Sequence, residues 1–381
     1  MATGIIAEYN PFHKGHMYHI KETKKITDND IVVIMSGNFV QRGEPAMTDK
    51  HTRAKMALRN GVSLVIELPV EYATGSADVF AKGAVNILDA TRIIDTLSFG
   101  SERGSTDIFD KISDILNNEP NTFKELIKSY LNSGLSYPSA RTKALEEYMS
   151  LNLDFMNRSN NILALEYIRQ LKKLQSSIKP VTVERIVSEY NSRSLSGEIS
   201  SASAIRSALI NKDLSALNSV PQNCIDLIKD KNIPQLNDYT SILSYILCTR
   251  SPSEISEYAD ITEGLENRIL NTDFNSIDEL ITKVKTKRYT YSKLQKAILH
   301  IILGITKKEQ QADPKYIRVL GFRKDKKYLL KELTEKASLP VIMNVKENES
   351  PLKREIISTD IYNIPLNKKR GIEYTTPLVT E

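Results

Sequence analysis

The chain has no tryptophan, two cysteines in 381 residues, and no apolar run near the roughly 18–20 residues that span a bilayer. Without such a run no transmembrane helix is expected. Cys224 and Cys248 lie in helix-like surroundings and lack metal-ligand spacing. They read as buried thiols of a reducing compartment rather than as a disulfide or a zinc site. The chain enters a strand-like run at once, which leaves no room for a signal peptide. Neither a GxSxG turn nor a Cys/His pair is present, in keeping with chemistry that needs no serine or cysteine nucleophile. These features point to a cytoplasmic protein without a membrane partner. The formal net charge of +5 is mild. It permits a nucleic-acid partner without requiring one.

The first hundred residues alternate short β-branched runs (4–7, 31–35, 64–68, 96–99) with helix-like runs (16–27, 48–59, 76–91). That alternation predicts right-handed βαβ crossovers and a parallel, Rossmann-like α/β sheet. Residues 107–173 have helical spacing throughout, and 181–187 read as one more strand. Beyond about residue 215 strand-like runs vanish and lysine becomes dense. Two domains are expected: 1–215, carrying the sheet, and 216–381, mostly helical and basic. Three basic runs stand out there: 283–296, which has no acid and interleaves Tyr289 and Tyr291; 323–331; and 368–370. Lysines that meet phosphates and tyrosines that stack on bases make the first run the strongest nucleic-acid candidate. Solvated helix faces would look the same.

The most informative stretch is residues 2–20, ATGIIAEYNPFHKGHMYHI. An apolar run, Gly4 to Ala7, meets a turn at Asn10 and Pro11, and His13-Lys14-Gly15-His16 then opens a helix. Two histidines and a lysine fall at the carboxyl end of a first strand and at a helix amino terminus. Open α/β sheets bind ligands there, and helix N–H groups attract phosphate. Gly15 lets backbone approach a phosphate closely. His13 and His16, three residues apart, converge on one ligand group, and imidazolium N–H groups stabilise charge building on a phosphate. Surface or capping histidines produce the same four letters; the position after strand one favours the catalytic reading.

A second segment, ISSASAIR at 199–206, places hydroxyls at a helix start and Arg206 one turn on. Alone it is an ordinary N-cap by Ser201 or Ser203. Paired with the first motif it reads as a phosphate clamp of helix N–H groups, hydroxyls and a guanidinium. The SGNFVQRG loop at 36–43 and Gly100 fall on the same carboxyl edge. Asn160 and Asn161 open a helix, where one can bond a nucleotide and the other cap. Arg185 on the last strand needs an anionic partner, which a phosphate, Glu184 or Glu189 would each supply. Asp49, Arg53, Glu67 and Asp78 read as caps or ion-pair members.

These motifs resemble a known set. HKGH and ISSASAIR resemble the HIGH and ISSTxxR signatures of the nucleotidylyltransferase superfamily. EYNPFHKGH, SGNFVQRGEPA, DKHTRAKMAL, VIELP, FGSE, GLSYPSAR, SNNIL and DIYNIPLNKKRGIEYTTP together are similar to the bacterial tRNA(Met) cytidine acetate ligase family, over nearly the whole chain. The resemblance implies activation of acetate by ATP to acetyl-adenylate, then acetylation of N4 of the wobble cytidine of elongator tRNA(Met). It implies an ATP site along Ile6, Ala7, Glu8, Tyr9, Asn10, Pro11, Phe12, His13, Lys14, Gly15, His16, Met17, Tyr18 and His19, with Gly100, Asn160 and Arg185. In that reading His13, His16 and Lys14 stabilise the transition state, while Arg206, Ser201 and Ser203 hold the leaving phosphates. Mg²⁺ would be bound through phosphates. His51 stands where the family pattern has tryptophan. A small-molecule adenylyltransferase of cofactor synthesis shares the HxGH site but needs no basic helical half. A nucleic-acid-binding protein with a regulatory nucleotide site is the third reading.

Overall fold

The computed structural model describes residues 1–102, 104–184, 200–262, 264–286, 289–346 and 349–381. The amino-terminal part runs β1 (Ala2–Ala7), α1 (Lys14–Thr27), β2 (Asp30–Ser36), α2 (Lys50–Arg59), β3 (Leu64–Leu68), α3 (Ala77–Thr91) and β4 (Ile94–Ser101). After further helices come α4 (Ser159–Lys173), β5 (Lys179–Glu184) and α5 (Ala202–Ile210). The later chain contributes α6 (Tyr291–Leu303), β6 (Ile317–Phe322), α7 (Lys327–Lys336), β7 (Val341–Ile342), α8 (Glu349–Asn363) and β8 (Val379–Thr380).

Eight strands form one sheet in the order β8-β6-β3-β2-β1-β4-β5, with β7 beside β6. The expected parallel core is present: β1 pairs in parallel with both β2 and β4, and β2 with β3. Strand order reverses at β1, so the crevice between the carboxyl ends of β1 and β4 is the topological switch point, where such sheets bind ligands. The first turn after β1 enters that crevice.

Strand alternation builds a core on each face. Val32, Ile34, Leu64 and Ile66 point to one side, against α3 and α4. Ile31, Val33, Met35 and Val65 point to the other, against α2 and α5. Because both faces are covered, the strands read as unbroken apolar runs. A third cluster belongs to the helices between residues 236 and 305.

Two expectations need correction. Strands do not vanish after residue 215: β6 pairs antiparallel with β3 and carries β7 and β8. Six residues suffice because Ile317, Val319 and Leu320 pack against a strand that supplies the ladder. The predicted boundary at 215/216 therefore does not separate the sheet from the later chain, and α8 crosses back over the carboxyl edge. The strand expected at 181–187 is observed as Lys179–Glu184; Arg185 and its loop lie outside the described residues. Of the two cysteines, both free, Cys224 is buried as expected and Cys248 is exposed.

Candidate active site

The site grows from the turn after β1. Glu8 accepts a hydrogen bond from the Gln41 backbone N–H at 2.8 Å. Tyr9 adopts a left-handed backbone, φ 50°, and its ring is buried. The Asn10–Pro11 peptide is cis. Asn10 receives the Met47 N–H on its side-chain oxygen at 2.7 Å. Two points of the connection between β2 and α2 are thereby tied to this turn.

His13 is the N-cap of α1. Its Nδ1 accepts from the Gly15 N–H at 3.0 Å, and His16 Nδ1 accepts from the His13 N–H at 3.2 Å. The rings stack with centroids 3.7 Å apart. The two histidines thus form a reciprocal capping box, a part usually played by Ser and Glu. A ring nitrogen that accepts carries no proton, so these caps assign each proton to Nε2. The stacked pair stands beside the helix amino terminus with both Nδ1 atoms engaged in the cap.

Arg206 brings the second motif to the first. Its guanidinium donates to the Asn10 carbonyl at 2.7 Å and to Glu44 at 2.6 Å. Ser201 caps α5, accepting from the Ala204 N–H at 3.2 Å. Ser203 lies in the first turn, half-buried, and Ser200 is buried with its hydroxyl unpartnered among the described residues. Beside the Arg206–Glu44 pair opens a cavity of about 190 Å³, whose far wall includes Asn237, Asp278 and Tyr291. Burial pushes the Glu8 carboxyl up, against the Gln41 N–H, Arg206 and Arg42, which favour its charge.

The other expected residues divide. Ile6 and Ala7 end β1 half-buried; Lys14, Gly15 and Tyr18 line the first turns of α1; Met17 is exposed. Pro11 and Phe12 are buried beneath the turn, and the Phe12 ring lies 5.6 Å from that of His16. His19 turns back instead, with Nε2 3.1 Å from the Ser98 hydroxyl, and pins α1 to β4. Gly100 lies opposite Val183, one residue before β4 ends. Asn161 is buried and bonds the Phe155 carbonyl at 2.8 Å. Asn160 faces Glu102 at 3.4 Å, at the mouth of the crevice. The geometry separates the two asparagines into a brace and a rim residue.

The expected caps and ion pairs are as read: Asp49 caps α2, Glu67 pairs with Lys50, and Asp78 accepts from Ser76. Arg53 is different. Fully buried, it donates to the carbonyls of Glu8 (2.6 Å), Ser36 (3.0 Å), Thr48 (3.0 Å) and Gly37. It has no carboxylate partner; its fork fixes the ends of β1 and β2 relative to each other. The signal was on the page. Lys50, Arg53, Ala54 and Ala57 share one helical stripe, and a charge on an apolar stripe needs a buried acceptor.

The basic run at 283–296 is mostly committed. Lys283 pairs with Glu279, Lys293 donates to Thr262 and Lys296 to the Gly75 carbonyl. Tyr289 is buried rather than available for stacking. Lys287 and Arg288 lie outside the described residues. Lys296 also joins the site's perimeter: the Glu8 charge acts on it, and its backbone packs where a Cβ on Gly43 (φ 80°) would lie, 2.9 Å away.

A family model described as HIGH Nucleotidyl Transferase matches residues 1–375. The tRNA(Met) cytidine acetate ligase of Clostridium perfringens is 42% identical over 380 residues, 95% of this chain and 94% of that one. The enzyme of the same name from a Thermoanaerobacter species is 41% identical over 397 residues, 99% of this chain and 98% of the relative. The crystal structure of Thermotoga maritima TmcAL in its apo form superposes with a TM-score of 0.93 at 30% identity, over 100% of this chain and 99% of that one. The form bound with α-thio ATP superposes at 0.91 and 29% identity, with the same coverage.

Proposed function

The chain belongs to the HIGH nucleotidyl transferase family, and on that premise we propose that it is a tRNA(Met) cytidine acetate ligase that consumes ATP. The curated relatives' names and the nucleotide in the Thermotoga structure support the substrates. The observation that carries the chemistry is the stacked histidine pair, with both Nδ1 atoms used in the cap of α1 at the switch point.

ATP lies over the carboxyl ends of the strands, its phosphates at the α1 amino terminus. The acetate carboxylate attacks the α-phosphorus in line and pyrophosphate leaves, giving acetyl-adenylate. His13 and His16 donate Nε2–H to the oxygens where charge builds, and Lys14 adds a positive charge. Arg206 exchanges Glu44 for a phosphate oxygen, assisted by the capped start of α5 at Ser201 and Ser203. Asn160 and Gly100 contact the nucleoside, and Arg185, outside the described residues, is a further contact of the ATP site. Arg53 touches no substrate and holds the frame. The wobble-cytidine N4 then attacks the acetyl carbonyl, with AMP as the leaving group. The protein contributes position and electrostatics, with no covalent intermediate on the chain.

Mg²⁺ would be held by the phosphates of ATP and would neutralise their charge. Glu8 and Glu44, the carboxylates at hand, already accept from Gln41 and Arg206, which suits an ion held by substrate oxygens. Residues 1–215 carry the catalytic site, and the surface of 216–381 carries the RNA. A tRNA substrate places the reaction in the cytoplasm. Among the described residues no helix is long and apolar enough to cross a membrane.

The test is pyrophosphate release from ATP with and without acetate and tRNA, followed by nucleoside mass analysis. Acetate-dependent release with new N4-acetylcytidine is expected. Release that ignores acetate and responds to a small nucleotide acceptor would replace this reading with that of a cofactor adenylyltransferase.

A further inference from the structure

The three basic runs are alike in sequence and differ in where the fold puts them. The run at 283–296 is largely occupied by its own chain, as described. The run at 323–331 sits at the wrong edge. Lys326 pairs with Asp30 at 3.0 Å, Tyr328 donates to Asp30, and the Arg323 N–H donates to the Ser63 carbonyl. Asp30 begins β2, whose far end opens on the site. Seven residues at about 3.3 Å each separate this run from the site by about 20 Å of strand.

The third run is placed otherwise. Helix α8 lies across the carboxyl edge: Tyr362 donates to the Ala46 carbonyl at 2.9 Å, and Thr359 accepts from Asn38 at 3.0 Å. Ala46 adjoins Met47, which is bonded to Asn10 of the histidine turn. The turn after α8 is held at both ends, by the Lys368 N–H on the Asn363 carbonyl and the Gly371 N–H on Asp360 at 2.8 Å. Between these anchors Asn367, Lys368, Lys369 and Arg370 are exposed. No acid lies between Asp360 and Glu373, and Glu373 is buried in other ion pairs. Two acids face the run. Arg370 reaches Asp360 only at 3.7 Å with its side chain 91% exposed. Asp49 feels the Lys368 charge, in keeping with its place on the same edge.

We infer that Lys368, Lys369 and Arg370 form the phosphate-backbone contact that seats the tRNA beside the histidine turn. The inference rests on the proposed RNA substrate and deepens it. Three exposed cations on an anchored turn, at the edge where the acetyl group is made, suit a polyanion that must present one base to that edge. Such a contact adds affinity without reading sequence.

The test compares K368Q/K369Q/R370Q with the wild type and with the opposite-edge control K324Q/K327Q/K331Q. tRNA binding is measured across a salt series, and acetate-dependent ATP–pyrophosphate exchange is measured without RNA. The expected result is unchanged exchange in all three proteins. In the first variant alone, tRNA binding should weaken about tenfold or more, with the slope of log K against log salt shallower by about 2–3, as loss of three phosphate contacts requires. Equal affinity and slope in variant and wild type, with the wild type binding and acetylating tRNA, would overturn the inference and leave the function intact. A wild type that neither binds nor acetylates tRNA would overturn both.

Discussion

At the carboxyl end of β1, His13 and His16 each use one ring nitrogen on the backbone at the start of α1. Two strands across, at the end of β3, Lys50, Glu67, Arg318 and Glu373 use their charges on one another. Lys50 bridges Glu67 at 2.7 Å and Glu373 at 2.6 Å, and Arg318 spans the same two carboxylates. Nearby, Glu355 is fully enclosed and accepts only the Val70 N–H, at 2.8 Å. Burial and the Glu67 charge push its carboxyl well above the usual range. Lys50 and Arg318 face Glu67 and Glu373, two cations against two anions. The histidine turn organises the start of a helix at the switch point, and the ionic cluster neutralises itself. Polar density at a sheet edge does not by itself identify a site.

Breaking the cluster should cost stability without altering chemistry directly. Glu373→Ala strands Lys50 and Arg318 in the interior, and a loss of about 3–5 kcal/mol is expected by denaturant titration. Gly37→Ala places a methyl 2.6 Å from Glu67 Oε1. That oxygen cannot retreat while it holds Lys50, so a loss of about 1–3 kcal/mol is expected. Ser201→Ala removes one cap from α5. It should cost about 1 kcal/mol and should raise KM for ATP if α5 meets phosphates.

The smallest effect sharpens the comparison most. Glu355→Gln mimics the protonated acid and should leave stability at low pH, where Glu355 is protonated folded and unfolded, unchanged. The pH dependence follows from opposite shifts. The Glu373 carboxyl is held far below its ordinary value by Lys50 and Arg318. The unfolded chain therefore binds its proton first, and this contribution is complete above the ordinary range and lost as pH falls. Glu355 is raised, so its contribution is present at low pH and lost as pH rises toward its folded value. Glu355→Gln should flatten the fall in stability as pH rises above the ordinary carboxylate range and leave the loss at low pH alone. Glu373→Gln should do the reverse, and identical profiles for the two variants would break the distinction.

Much of this architecture was readable in the chain. Strands with both faces covered announce themselves as apolar runs, and HKGH after the first of them marked the switch point. In the motif at 199–206 the hydroxyls announce a helix start, and Ser201 caps it, with Arg206 one turn later. What was not readable depended on distant partners. Ile317–Phe322 is too short to declare itself without β3 beside it. His19 looks like its neighbours in the motif until Ser98, on another strand, claims it. The lysines at 283–296 look solvated until Glu279, Thr262 and Gly75 are in place. Arg53 looked like an ion-pair member because its partners are carbonyls, which no sequence displays.

The most direct test of the histidine turn separates its two duties. His16→Asn keeps an acceptor near the Nδ1 position for the His13 N–H and removes the Nε2–H donor. His16→Gln places an amide near the Nε2 position. Acetate-dependent ATP–pyrophosphate exchange, measured with folding checked by circular dichroism, should fall by about 10²–10³ in His16→Asn and recover in part in His16→Gln. Exchange at the wild-type rate in a folded His16→Asn protein would contradict the account, since the outward N–H would then do nothing for the α-phosphate.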